Sequence, residues 1–113
     1  MVTWNNLDKL ASYQELKDTA RVNLAEVMSG ENGAARVKNY SIPMAAGFTY
    51  NYAAKAVDDK VLAALVKLAD EAQLAEKFKE LYNGAVINTG ENRLVLHQLT
   101  RGQLGDAVKA DGV

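Results

Sequence analysis

The residues whose types and spacing could do chemistry are gathered near the end of the chain. From Ile87 to Arg101 the sequence reads I-N-T-G-E-N-R-L-V-L-H-Q-L-T-R. Asn88 followed three residues later by Glu91 is the pattern of a helix N-cap with its capping-box acid, which satisfies orphan N–H groups and places negative charge at the positive end of the helix dipole. The pattern predicts a helix from about Thr89. Leu94, Val95, Leu96 and Leu99 would give that helix an apolar surface wide enough to pack on more than one neighbour. Arg93, His97 and Arg101 recur at every fourth position, so on a helix they form one polar stripe of three potential cations. Such a stripe could bind an anion such as a phosphate. It could equally be a docking face that pairs with Glu91 and with carboxylates outside the stretch. Docking weighs more, because helical ion pairs and interface arginines are common, whereas a phosphate site usually adds a helix N-terminus or a glycine loop.

Other chemistries fail sooner. The chain has no cysteine, which removes disulfides, thiolate metal sites and cysteine nucleophiles, and imidazole ligation would have His97 alone. Asp58 with Asp59, and Asp70 with Glu71, are adjacent in sequence, so they read as caps and solvated charge and not as an acid–base couple. Ser12, Ser29 and Ser41 lack a nucleophile elbow or a second histidine. Gly30, Gly33 and Gly47 make no phosphate-binding fingerprint. With 13 basic and 14 acidic residues and no basic block, the chain lacks the electrostatic footprint of a nucleic-acid binder. Met1 to Leu10 is polar, interrupted by Asn5, Asn6, Asp8 and Lys9, and gives neither a signal peptide nor a membrane span, so a cytoplasmic protein is expected. No catalytic, substrate-binding, cofactor or metal residue is assigned.

The elements that must position the stretch are mostly helical. At 113 residues and 49% hydrophobic content the chain is long enough for one compact domain. Trp4, Leu7, Leu10, Ala11 and Leu16 predict a first helix, capped by Thr3 or Asn5 and running to about Ala20. Asn23 opens a short helical turn with Leu24, Val27 and Met28 on one side, Met28 as core filler, and an end at Ser29, Gly30 and Asn32. Structure resumes from Arg36 to Ser41. Pro43 favours extended backbone before it, and Phe48 to Tyr52 alternates aromatic with polar, which predicts a two-stranded hairpin over about residues 40–52 with one half-buried aromatic face. Asp58 caps a helix with Val61, Leu62, Leu65, Leu68 and Ala69 on one face. After a break near Asp70 to Gln73, Leu74, Phe78, Leu81 and Tyr82 line a second helix stopped by Gly84. Burial of those four side chains would contribute roughly 6 to 12 kcal/mol before entropy is subtracted.

The run V-L-A-A-L-V-K-L-A-D-E-A-Q-L-A-E-K-F-K-E-L-Y-N-G-A-V-I-N, Val61 to Asn88, resembles the glucose-6-phosphate isomerase family without gaps. The stretch after it is similar to the family signature, approximately I-N-x-T-E-x-R-x-V-L-H-x-A-L-R, at Ile87, Asn88, Glu91, Arg93, Val95, Leu96, His97 and Arg101. It departs at Gly90, Leu99 and Thr100, where the family has threonine, alanine and leucine; Gly90 weakens a first helical turn by up to about 1 kcal/mol. Further back, Arg36, Val37, Tyr40 and Ser41 resemble the family's R-F-x-x-F-S. Tyr52 sits where a D-Y-S-K stretch falls, with Asn51 in place of its aspartate.

The resemblance implies a mainly α, small helical N-terminal domain with the short β-hairpin, a fragment of a larger α/β sugar-isomerase enzyme, with residues 102–113 as a tail leading to the missing downstream domains that are its partner. It implies that the parent interconverts glucose 6-phosphate and fructose 6-phosphate through a cis-enediol, in glycolysis and gluconeogenesis. The family's I-G-I-G-G-S and S-K-T-x-T-T stretches, base glutamate, ring-opening histidine and C-terminal lysine have no counterpart in these residues. His97 does not correspond to that histidine, so the fragment is expected to be inactive, and monomeric although the parent is a homodimer. The alternative is a stand-alone helical interaction module using the Arg93, His97 and Arg101 face.

Overall fold

The computed structural model of the chain describes residues 2–102 and 107–109. The tail expected over residues 102–113 lies mostly outside them. The architecture is mainly helical with short antiparallel hairpins, and the chain divides into two compact units, residues 11–67 and residues 1–10 with 68–113.

Residues 11–67 hold α1 (Ala11–Asp18), α2 (Leu24–Val27), α3 (Gly30–Asn39), β1 (Ser41–Pro43), β2 (Thr49–Asn51) and most of α4 (Asp59–Glu71). The predicted first helix is shorter than its apolar spacing suggested. Residues Leu7–Lys9 make a separate 3-10 turn, and Leu10 is extended with φ −88° and ψ 140°. The Leu10 N–H bonds to Leu7 O and closes that turn before α1 begins. Asn23 caps α2 by accepting from the Glu26 N–H at 3.4 Å. Instead of a loop to Arg36, α3 begins at Gly30, packed so closely behind α2 that Gly33 lies against the Met28 backbone. Met28 is more than a third exposed, not the core filler expected.

The predicted hairpin is present. Strands β1 and β2 pair antiparallel, Ser41 with Asn51, Ile42 with Tyr50 and Pro43 with Thr49. Tyr40, Tyr52 and Tyr50 stack along it, with ring centroids 5.0 and 6.1 Å apart. Its tip uses two left-handed residues, Ala46 and Gly47, at φ 58° and 77°. The Asp58 carboxylate accepts from the Val61 N–H at 2.8 Å and so caps α4 as its position predicts. Asp58→Ala is expected to cost about 1 kcal/mol in urea denaturation, and Asp58→Ser to recover most of it.

In the other unit α5 (Leu74–Tyr82) follows a joint at Gln73, which is left-handed at φ 55°. The Gln73 side-chain oxygen accepts from the Thr3 N–H at 2.8 Å, and the Lys77 ammonium stands 5.0 Å over the Trp4 ring, so the first residues are tied to this joint. Gly84 ends α5 in a Schellman arrangement: its N–H reaches Leu81 O, and Ala85 N–H reaches Glu80 O. Its φ of 86° favours glycine, and a Cβ there would lie 2.8 Å from Val108 Cγ1.

Two expectations are overturned here. No helix starts at Thr89; β3 (Val86–Asn88) pairs with β4 (Arg93–Leu94) as a second hairpin, and a 3-10 helix over His97–Arg101 follows. The α5 face is not a filled core either. Leu74 and Phe78 are 61% and 62% exposed, and Leu81 and Tyr82 are half-buried. The expected burial energy is therefore not realised within this unit. Among the described residues, no large side chain is fully buried; Ala53, Ala64 and Ala72 are the buried apolar ones. No helix among them is long and apolar enough to cross a membrane.

Candidate functional site

The signature residues occupy a hairpin and the turn after it. Ile87 and Asn88 lie in β3, with Ile87 half-buried and Asn88 exposed at the strand's end. Asn88 Oδ1 accepts from the Glu91 N–H and Asn88 Nδ2 donates to Glu91 Oε2, both at 3.2 Å. These bonds resemble those of a capping box, but they close the β3–β4 turn. Asn92 at φ 54° reverses the chain where a helix would have continued. An asparagine oxygen accepting an N–H three residues on serves a helix start and a tight turn equally well, which is why the local pattern misled.

The three cations therefore share no helical stripe. Arg93 lies in β4 and pairs with Glu91 at 3.5 Å, both side chains well exposed, an interaction worth at most about 1 kcal/mol. His97 and Arg101 lie on the 3-10 helix and line a shallow cleft with Tyr82, Gln98, Thr100 and Gly102. Gln98 Nε2 approaches Tyr82 O at 3.5 Å, and Thr100 Oγ1 donates to His97 O at 2.8 Å. Val95 and Leu96 are half-buried in the link between β4 and this turn. The face expected for a stand-alone module would thus draw Arg93 from a strand and His97 and Arg101 from the 3-10 helix. Among the described residues, no three metal-ligating side chains come together.

A dense polar arrangement lies in the other unit and centres on Arg36, which the sequence marked only through a resemblance. The residue is 9% exposed, and its guanidinium lies 4.4 Å over the Tyr40 ring. Nε donates to Ala53 O at 2.7 Å, and Nη2 donates to Lys55 O at 2.9 Å and Val57 O at 2.6 Å. One side chain on α3 thereby fixes the whole connection from β2 to α4. Asn51 supports it by donating to Val37 O at 2.7 Å and accepting from the Ala53 N–H at 3.0 Å. An aspartate at 51 could accept but not donate, so the amide suits both partners. The available sequence signal was a lone arginine four residues before Tyr40, a helical spacing that lets guanidinium and ring stack.

Tyr40 also donates to Asp59 Oδ1 at 3.0 Å. Its phenol pKa is raised above the ordinary 10.0, first by partial burial, then by the hydrogen bond to Asp59 and the charge of Asp59; Arg36 pulls it down and Asp58 adds a further rise. The folded state therefore holds the phenolic proton more tightly than the unfolded state does. The stabilisation is complete below the unfolded value and is lost as pH rises from there through the folded value. Denaturation midpoints measured between about pH 9 and 11 should fall with rising pH, and Tyr40→Phe should flatten that dependence. Arg36, Tyr40 and Asp59 also line an open cleft with Glu26, Asn32 and Tyr52, and the hydrogen bonds they make hold the loops around it.

Comparison with known proteins gives a consistent result. Residues 51–113 match the family model described as phosphoglucose isomerase, a range that runs from the end of β2 through α4, α5 and the β3–β4 hairpin. The glucose-6-phosphate isomerase of Treponema denticola is 51% identical over 115 residues, covering 97% of this chain and 22% of that protein. The enzyme of the same name from Treponema pallidum is 46% identical over 100 residues, covering 88% of this chain and 19% of the relative. That from Borreliella burgdorferi is 39% identical over 112 residues, 98% of this chain and 20% of the relative. The chain spans about a fifth of the length of the curated relatives it matches.

Proposed function

Because the chain belongs to the phosphoglucose isomerase family, we propose that it is the structural N-terminal portion of a glucose-6-phosphate isomerase, supporting the interconversion of glucose 6-phosphate and fructose 6-phosphate without performing it. The observation that carries this reading is the coverage: nearly all of this chain aligns with only 22% of the Treponema denticola enzyme. The chemistry points the same way. Acid–base isomerisation needs a base within hydrogen-bond reach of the substrate's C1 and C2 protons and a cradle for the phosphate. Arg36 and Asn51 are committed to backbone carbonyls, Asp58 to a helix cap and Glu91 to a turn. The parent's cytoplasmic location and its place in glycolysis belong to the same proposal.

The test has two arms. Purified chain, assayed with glucose 6-phosphate in a coupled reaction, is expected to show no turnover above the blank. A chimera in which this chain replaces the matched stretch of the Treponema denticola enzyme is expected to be soluble and active. Turnover by the isolated chain, or a chimera that cannot be recovered in active form, would overturn the proposal.

A further inference from the structure

Leu74 and Phe78 stand one helical turn apart on α5, and each leaves about three-fifths of its surface in solvent. With Ala69 and Ala75 they line an apolar groove whose rim carries Asp70, Glu76 and Lys79. The helix itself is firmly made: the Schellman arrangement at Gly84 closes one end, and the residues Thr3 and Trp4 tie down the other. A rigid helix that shows a leucine and a phenylalanine on one face, inside a rim of mixed charge, has the composition of an interface core surrounded by a polar border.

Resting on the family reading above, we propose that the Leu74–Phe78 face of α5 is the surface on which the remaining four-fifths of the isomerase polypeptide docks, through an apolar patch that closes over Phe78. The occupant follows from the coverage. The relatives carry this segment together with about four times its length of further chain, and the family match includes the whole of α5. A segment that normally folds against so much additional polypeptide is expected to keep an apolar face for it. The rim's two acids and one lysine favour a partner border of mixed charge.

The proposal separates two measurements that a purely internal role would couple. In the isolated chain, Leu74→Glu with Phe78→Glu should leave the urea midpoint unchanged, because neither side chain gives up much burial there. In the chimera with the Treponema denticola enzyme the same pair should lower the thermal inactivation midpoint by about 5 °C or more, since two carboxylates would be buried against apolar surface. Leu74→Ala with Phe78→Ala should give a smaller fall of the same sign and covers the case in which the glutamate chimera is insoluble. A doubly substituted chimera, glutamate or alanine, as heat-resistant as its parent would overturn the docking face. So would a loss of midpoint in the isolated chain, which would mean the face is already covered there. Failure of the unsubstituted chimera would instead strike the family role itself, so the two failures are distinguishable.

Discussion

Arg36→Leu is expected to destabilise the chain by about 2 to 4 kcal/mol, the order expected when several hydrogen bonds from a charged donor are lost and a buried carbonyl is left unsatisfied. The substitution strips three carbonyls of their donor at once, those of Ala53, Lys55 and Val57, contacted at 2.6 to 2.9 Å. Ala53 is 1% exposed, so water has little access to replace the lost partner at that carbonyl. Leucine also gives up the stacking of the guanidinium on Tyr40 at 4.4 Å. The loss should appear locally before it appears globally: amide exchange should quicken over residues 53–57 while α3 stays protected. Arg36→Lys keeps the charge but offers one ammonium where a planar fork met three oxygens, so it should recover less than half of the stability. Urea denaturation with exchange mass spectrometry makes the comparison. A leucine variant within about 1 kcal/mol of the parent would show that the fork only decorates a loop already fixed by its own bonds.

Gly33→Ala should destabilise by about 2 to 4 kcal/mol, although helix propensity alone argues for a gain of nearly 1 kcal/mol. Gly33 lies inside α3 with ordinary helical backbone, so conformational freedom is not its purpose. Space is. A Cβ at that position would press on the Met28 carbonyl oxygen, with the carbonyl carbon at 2.6 Å and the Cα at 3.2 Å. These are backbone atoms and cannot rotate aside, so α2 and α3 would have to separate. That movement would strain the Gly33 N–H to Ser29 O bond of 3.2 Å at the start of α3. The sign makes the test sharp: a Gly33→Ala chain with a higher denaturation midpoint would mean that α2 yields freely.

How much of this was legible in the sequence depends on the range over which each feature is decided. Asn23 and Asp58 were readable as caps because a cap needs only the N–H three residues on. Gly84 was readable as a stop because a left-handed residue after an apolar helical run satisfies the last carbonyls within its own turn. The β1–β2 hairpin was readable from Pro43 and the aromatic alternation that follows. Asn88 and Glu91 illustrate the limit: the bond from the Glu91 N–H to Asn88 Oδ1 was foreseen, but that bond fits a helix start and a hairpin turn alike. Asn92 in the left-handed region settled the matter.

By itself the sequence determined the mainly helical class, the Asn23 and Asp58 caps, the first hairpin and the family, all of which are encoded in neighbouring residues or in the order of residues. Tertiary structure alone decided that Arg36 finds carbonyls 17 to 21 residues away, that Gly33 must admit the Met28 backbone, and that the Arg93, His97 and Arg101 series is divided between a strand and a turn. It also decided that Leu74 and Phe78 remain uncovered. An apolar stripe records that a helix needs a neighbour, because water disfavours the exposed surface whichever way the chain turns; which neighbour supplies the cover is a property of the arrangement in space.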